Sequence, residues 1–367
     1  GQVALADEVP GTAAHGLDGN FVGNHAGDDD EGQVAPPGLQ QGQGRDRVEL
    51  GHVVVADDHV PAALGQVVHQ RARGIGVVGD VHLAAGEVPD DPGVDRAEEQ
   101  LALLRALLGA LDADTLGTEV GNPRFFDEDI DAKLAVLARY RPAFVSTTFA
   151  DPGRELVDRI RAEVSAQVFV TVTSPGEAAA AVASGADALI AQGVEAGGHR
   201  GIWHDVPDHP HGGPGMSTAG LVRKITKATE VPVIAAGGVG VADDVRELLD
   251  AGATAVAVGT ALLCADEAGT SETYRNAVWS WEYRGTVVTR AFSGRPARAL
   301  ANRFATMNVD APAAYPHVHY MTKPIRTAAA AAGNTQTLNL WAGDGWDAVQ
   351  KGSAAQIIAN LTGRATD

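Results

Sequence analysis

Five short runs that are apolar throughout stand out in the chain: Phe144–Phe149, Val168–Thr173, Ala188–Gln192, Pro232–Ala236 and Thr254–Val258. Between them lie segments of helical period, Gly153–Val164, Gly176–Ala183, Thr218–Thr229 and Ala242–Leu249. Upstream, Glu98–Leu111 has the spacing of an amphipathic helix. Strands that are apolar on both faces are strands buried on both faces, and strands alternating with helices are parallel βαβ units. Five units, with space for about three more upstream, predict an α/β fold of the eight-fold TIM-type (β/α)8 barrel kind. A doubly wound sheet is the alternative. After Ala268 the rhythm stops, and Thr270–Trp281, Ala297–Phe304 and Lys323–Ala332 read as helices of a small C-terminal helical subdomain.

Residues 1–90 lack this pattern. Only Val53-Val54-Val55 and Gly76-Val77-Val78 read as strands, with a possible helix over Pro61–Arg73. The first hundred residues hold no Ser, Lys, Tyr, Trp, Cys or Met, yet they carry half of the 12 histidines. Gly, Asp and Gln recur without a period, as in Gly27-Asp28-Asp29-Asp30-Glu31-Gly32. Such a composition fits an acidic extension with too little apolar surface to fold. It fits equally a wrong-frame or mis-assembled segment standing in the place of the first barrel strands, which would leave the barrel incomplete at its N-terminal side. The chain thus divides into 1–90, a barrel over 91–267, and a C-terminal subdomain over 268–367.

Composition narrows the partners. The formal net charge of −19 argues against nucleic acid and anionic membrane surfaces, which need basic patches. No apolar run reaches bilayer length, and no basic-then-apolar leader stands at the start. With a single cysteine, Cys264, no intrachain disulfide can form, so a cytoplasmic setting is expected, with Cys264 as a small core residue. Oligomeric state has no signature here.

The chemistry gathers at strand ends. Gln192-Gly193-Val194-Glu195-Ala196-Gly197-Gly198-His199-Arg200-Gly201 follows the run Ala188–Ala191, at the carboxyl end of a strand where barrels hold ligands. Glycines there allow a ligand close to the backbone, and His199 can exchange a proton near neutral pH. Two further glycine turns, Gly237-Gly238 and Gly259-Thr260, end the last two runs. A barrel binds phosphate at this place through backbone N–H groups, to which Thr260 adds a hydroxyl. His204, His209 and His211 have spacing that could touch a metal, but no compact ligand set is completed, so none is expected.

Val231–Thr260, the string Gln192–Gly201 and Ser293-Gly294-Arg295-Pro296-Ala297-Arg298 together resemble the nitronate monooxygenase family, from about Val94 to the C-terminus. The resemblance implies an FMN-dependent barrel. In it Gln192, Gly197 and Gly198 approach the flavin, Gly237, Gly238, Gly259 and Thr260 hold its phosphate, and His199 is the catalytic base. It implies substrates that are nitroalkanes or their nitronates, oxidised by O2 to a carbonyl compound and nitrite. It also implies a Tyr, Tyr, Lys set lining the site, which falls on Tyr315, His319 and Lys323, with His319 a departure. The family's first strand ends in a Pro-Met-Ala-Gly-like turn and a later one in a Gly-Val-Asn-like turn; neither occurs in residues 1–90. Two other readings of the same scaffold stay open, an NADH-dependent FMN reductase of the enoyl-thioester or quinone type, and a sugar-phosphate barrel enzyme without flavin.

Overall fold

The computed structural model describes residues 53–56, 130–280 and 282–363. The helix expected over Glu98–Leu111 and the other readings of residues 1–52 and 57–129 lie outside the described residues.

In chain order the described elements are β1 (Val53–Ala56), α1 (Ile130–Tyr140), β2 (Phe144–Thr147), α2 (Gly153–Arg159), β3 (Gln167–Val172), α3 (Pro175–Ser184), β4 (Ala188–Gln192) and β5 (Gly198–His199). They continue with α4 (Thr218–Ile225), β6 (Val233–Ala236), α5 (Ala242–Asp250), β7 (Ala255–Val258), α6 (Glu272–Trp279), β8 (Thr286–Thr289), β9 (Ala297–Leu300), α7 (Arg303–Met307), α8 (His317–Ala331) and α9 (Ala354–Leu361). All five apolar runs are strands, and each intervening segment of helical period is a helix. Ser174 and Ser217 start α3 and α4 as side-chain caps, accepting from the N–H groups of Glu177 and Gly220.

A six-stranded sheet runs in the order β1-β7-β6-β4-β3-β2. From β2 to β7 every pairing is parallel, with registers such as Phe169 opposite Ala188 and Ala235 opposite Val256. Val168, Val170, Leu189, Val233 and Val256 turn outward and join Leu156, Ile160, Leu221, Ile225 and Leu248 from the helices. Phe169, Ala188, Ile234 and Ala255 turn inward, where they pack with Phe144 and Ile190 as the barrel lumen. Burial on both faces is what the unbroken apolar runs require, and each fully buried Leu or Ile contributes on the order of 1.5–3 kcal/mol.

Two features depart from the expected pattern. β1 pairs antiparallel with β7, Val53 opposite Val258, where an all-parallel barrel would place a parallel first strand. Among the described residues β1 and β2 stay unpaired with each other, so the sheet is an arc of barrel type. The second concerns Ala297–Phe304, expected as a helix: Ala297–Leu300 is strand β9, and helix α7 begins only at Arg303. β9 lies between β5 and β8 in an antiparallel three-stranded sheet. The C-terminal part is therefore helical with a small sheet, and that sheet is what reaches back to the barrel mouth. Elsewhere α9 returns to the barrel, with Ile357, Ile358 and Leu361 in the outer core.

Candidate active site

β4 ends at Gln192, and the chain turns through Gly193–Gly197 into the two-residue strand β5, which carries His199. Gly198 pairs with Arg298 and His199 with Ala297, so β9 fixes the backbone that bears the imidazole. The half-buried ring lies with its Nε2 2.8 Å from Ser293 Oγ. Around it stand Trp341, Tyr315 and Phe149, with ring centroids at 5.4, 5.8 and 6.1 Å. A half-buried imidazole beside three aromatic rings lies in a lower local dielectric than water, which strengthens its interactions with any charged group.

The turn holding His199 is braced from several sides. The Gln192 amide donates to the His199 carbonyl at 3.1 Å and accepts from the Gly201 N–H at 2.7 Å, spanning the turn. Arg200 Nη1 donates to Gly193 O at 3.0 Å, and Arg298 Nε donates to Val194 O at 2.9 Å. Glu195 accepts from the N–H and hydroxyl of Thr218, in the first turn of α4. Burial pushes the Arg200 guanidinium below its ordinary pKa. Sequence reasoning named Gln192 as a flavin neighbour; its amide here is first a structural tie, with one N–H left over for a ligand.

The glycine turns converge on the same mouth. Gly237 and Gly238 follow β6 with φ of +122° and +79°, backbone that L side chains rarely adopt. A Cβ on Gly237 would meet Ala196 N at 2.8 Å, and one on Gly238 would meet Glu195 Cβ at 3.0 Å. Gly197 abuts Ala342 and Gly343, where a Cβ would come within 2.5 Å of Gly343 N. Thr260, in the turn after β7 with Gly259, accepts from the Gly343 N–H at 3.0 Å. The turns after β6 and β7 thus present backbone N–H groups and one hydroxyl, but Asp244 already accepts from two of those groups, Gly240 N–H at 2.8 Å and Val241 N–H at 2.9 Å. The glycine part of that donor set suits a phosphate monoester.

Tyr315 joins His199 by ring contact, while His319 and Lys323 both lie on α8. The His319 ring packs edge-on against Tyr320, and its carbonyl accepts from Arg326 Nη2 at 3.0 Å. The histidine loop is a clamp of another kind. Arg290 reaches Asp205 Oδ1 at 2.5 Å and donates to the carbonyls of Val206 and His209, while His211 Nδ1 lies 2.9 Å from Val288 O. No metal cluster forms among the described residues. Cys264 is buried and free, as expected.

Four site residues escaped the sequence reading, among them Trp341, whose ring stands against His199. Ser293 lies far along the chain from His199, with only its place in the Ser293–Arg298 string to signal it. Phe149 closes the first apolar run at φ +74°, unusual for a bulky residue. Over its ring sits the Arg295 guanidinium, 4.0 Å from the centroid.

Parallel βα units with a histidine and glycine turns at the strand ends define an α/β-barrel of the enzyme type. The family model for nitronate monooxygenase matches residues 96–363, and the chain belongs to that family. It is 38% identical over 232 residues to a nitronate monooxygenase of Pseudomonas aeruginosa, covering 62% of this chain and 65% of that protein. The chain thus spans slightly less than two thirds of that curated relative. Among solved structures, a nitroalkane oxidase from Streptomyces ansochromogenes superposes with a TM-score of 0.68 at 40% identity, covering 72% of this chain and 76% of that one. A FabK variant from Thermotoga maritima superposes at 0.50 with 24% identity, over 63% of this chain and 68% of that one, a likeness of fold alone.

Proposed function

We propose that this protein oxidises alkyl nitronates with O2 to a carbonyl compound and nitrite, using FMN. The observation that carries the reading is His199, held by Ser293 inside the ring wall of Phe149, Tyr315 and Trp341 at the mouth where the glycine turns meet. Gly237, Gly238, Gly259 and Thr260 would hold the flavin phosphate, with Gln192, Gly197 and Gly198 beside the ring system. Bound FMN supplies the electron-transfer and oxygen chemistry.

The residues supply the rest. His199 takes the acidic α-proton of a nitroalkane, or, once protonated, holds the nitronate anion by charge. The Tyr315 hydroxyl can donate to a nitro oxygen, and Lys323 adds positive charge to the α8 side. Phe149 and Trp341 keep water from the imidazole. No helix among the described residues is long and apolar enough to cross a membrane; the free, buried Cys264 fits a reducing cytoplasm.

The test is the absorption spectrum and turnover of the purified protein. A yellow protein that releases FMN on denaturation and forms nitrite from ethyl nitronate under air supports the reading. A colourless protein, or one that consumes NADH and ignores nitronate, rejects it.

A further inference from the structure

Among the described residues Arg295 has a charge without a counter-ion. Its Nη2 donates to Ile202 O, but its buried Nε has no hydrogen-bond partner among them. Among the described residues it forms no ion pair. The nearby carboxylates are committed elsewhere: Asp205 to Arg290, and Glu177 to Thr173 and the Trp203 N–H. Burial pushes the guanidinium down to about 10, which leaves it charged at neutral pH. A desolvated, unpaired cation with an idle donor is unfavourable to folding unless something else occupies that donor.

Its surroundings indicate what. The guanidinium stacks on Phe149, the same ring whose neighbours are His199 and Tyr315, and the Tyr315 hydroxyl lies within its electrostatic reach. Arg295 also shares a short turn with Ser293, the partner of His199, whose oxygen lies 3.3 Å from the Arg295 N–H. The cation is therefore built into the wall of the His199 site.

We propose that Arg295 is the anion-binding group of this site, holding a planar monoanion with two oxygens, the nitronate head of the substrate, against Phe149 and Tyr315. The identity of the anion rests on the function proposed above; the anion site itself does not. A guanidinium matches such a head in shape and charge better than an ammonium does. Its binding would also favour the anionic form over the neutral nitroalkane.

The test titrates the full chain with nitrite, followed by calorimetry and by tryptophan fluorescence. Nitrite should bind saturably to the native protein, about 10- to 100-fold more weakly to Arg295→Gln, and with partial recovery in Arg295→Lys, the range for one charged hydrogen bond. Circular dichroism confirms that the variants are folded, and Arg295→Lys serves if the glutamine variant is not. Arg295→Gln should also raise KM for ethyl nitronate far more than for nitroethane. Equal nitrite affinity in native protein and a folded variant, or no nitrite binding by the native protein, overturns the proposal. Nitrite binding that depends on Arg295 in a protein without nitronate turnover would uphold this site while rejecting the proposed activity.

Discussion

His199 Nε2 and Ser293 Oγ lie 2.8 Å apart, although 94 residues separate them in the chain. Ser293 is only 1% exposed, and its oxygen also lies 3.3 Å from both the N–H and the carbonyl of Arg295. The hydroxyl has one proton to give. Given to the Arg295 carbonyl, it leaves the oxygen accepting from a protonated Nε2; given to Nε2, it leaves the imidazole proton on Nδ1. In both cases Ser293 fixes the ring plane and couples the tautomer of His199 to the turn that carries Arg295.

Replacing Ser293 by alanine removes that tie without touching the substrate. The expected result is a loss of about tenfold in kcat/KM for nitroalkanes, the worth of one hydrogen bond of roughly 1.4 kcal/mol. A rate identical to that of the native protein would show that the contact is packing only.

His199→Asn separates proton abstraction from the later steps. Turnover of neutral nitroalkanes should fall by about two to four orders of magnitude, the usual contribution of a general base. Preformed nitronate has already lost its proton, so its oxidation should fall much less. Equal losses for both substrates would make His199 a binding residue, and no loss for either would remove it from the chemistry.

The sequence made the barrel legible because burial on both faces writes an unbroken apolar run, which local pattern alone reveals. β2, β3, β4, β6 and β7 were read for that reason. His199 was read because a histidine among glycines after such a run has few structural uses. The stretch Ala297-Arg298-Ala299-Leu300 misled because Ala, Arg and Leu are good helix formers. There the partners β5 and β8 impose extended backbone, and tertiary pairing outweighs intrinsic propensity. Ser293 and Arg295 stand in the string that resembles the family, but their roles depend on contacts with His199, Ile202 and Phe149 made across the fold. The antiparallel direction of β1 has no local signature at all.

Gly238→Val probes the turn proposed to hold the flavin phosphate. The new Cβ would face Glu195 Cβ at 3.0 Å from backbone at φ +79°, where a β-branched residue is strained. Glu195 is tied to the first turn of α4 and cannot retreat freely. The variant should lose its flavin absorbance while keeping most of its secondary structure, with a stability loss on the order of 1–3 kcal/mol. Full flavin retention would place the phosphate elsewhere.

In alkali Tyr283, with its raised value, and Arg295, with its lowered one, act in opposite senses, while Tyr274 and Cys264 both weaken the fold. Both belong to the same buried cluster as Leu340 and Trp346, and burial pushes the phenol and the thiol above their ordinary values of 10.0 and 9.0. The folded protein therefore holds these two protons more tightly than the unfolded chain does. Their contribution to stability is complete below about pH 9 and is lost as pH rises through the unfolded values toward the raised folded ones. The Tyr274 hydroxyl also donates to the carbonyl of Trp341, the residue whose ring packs on His199, so loss of this anchor reaches the site. Urea midpoints from the ordinary two-state treatment should be steady from about pH 7 to 9 and fall above it. Tyr274→Phe should be less stable by about 1 kcal/mol at pH 7, because the Trp341 carbonyl loses its donor. Above pH 10 its curve should be flatter than that of the native protein. A native midpoint that stays level to pH 11, or a Tyr274→Phe curve as steep as the native one, would show that the phenol does not govern this range.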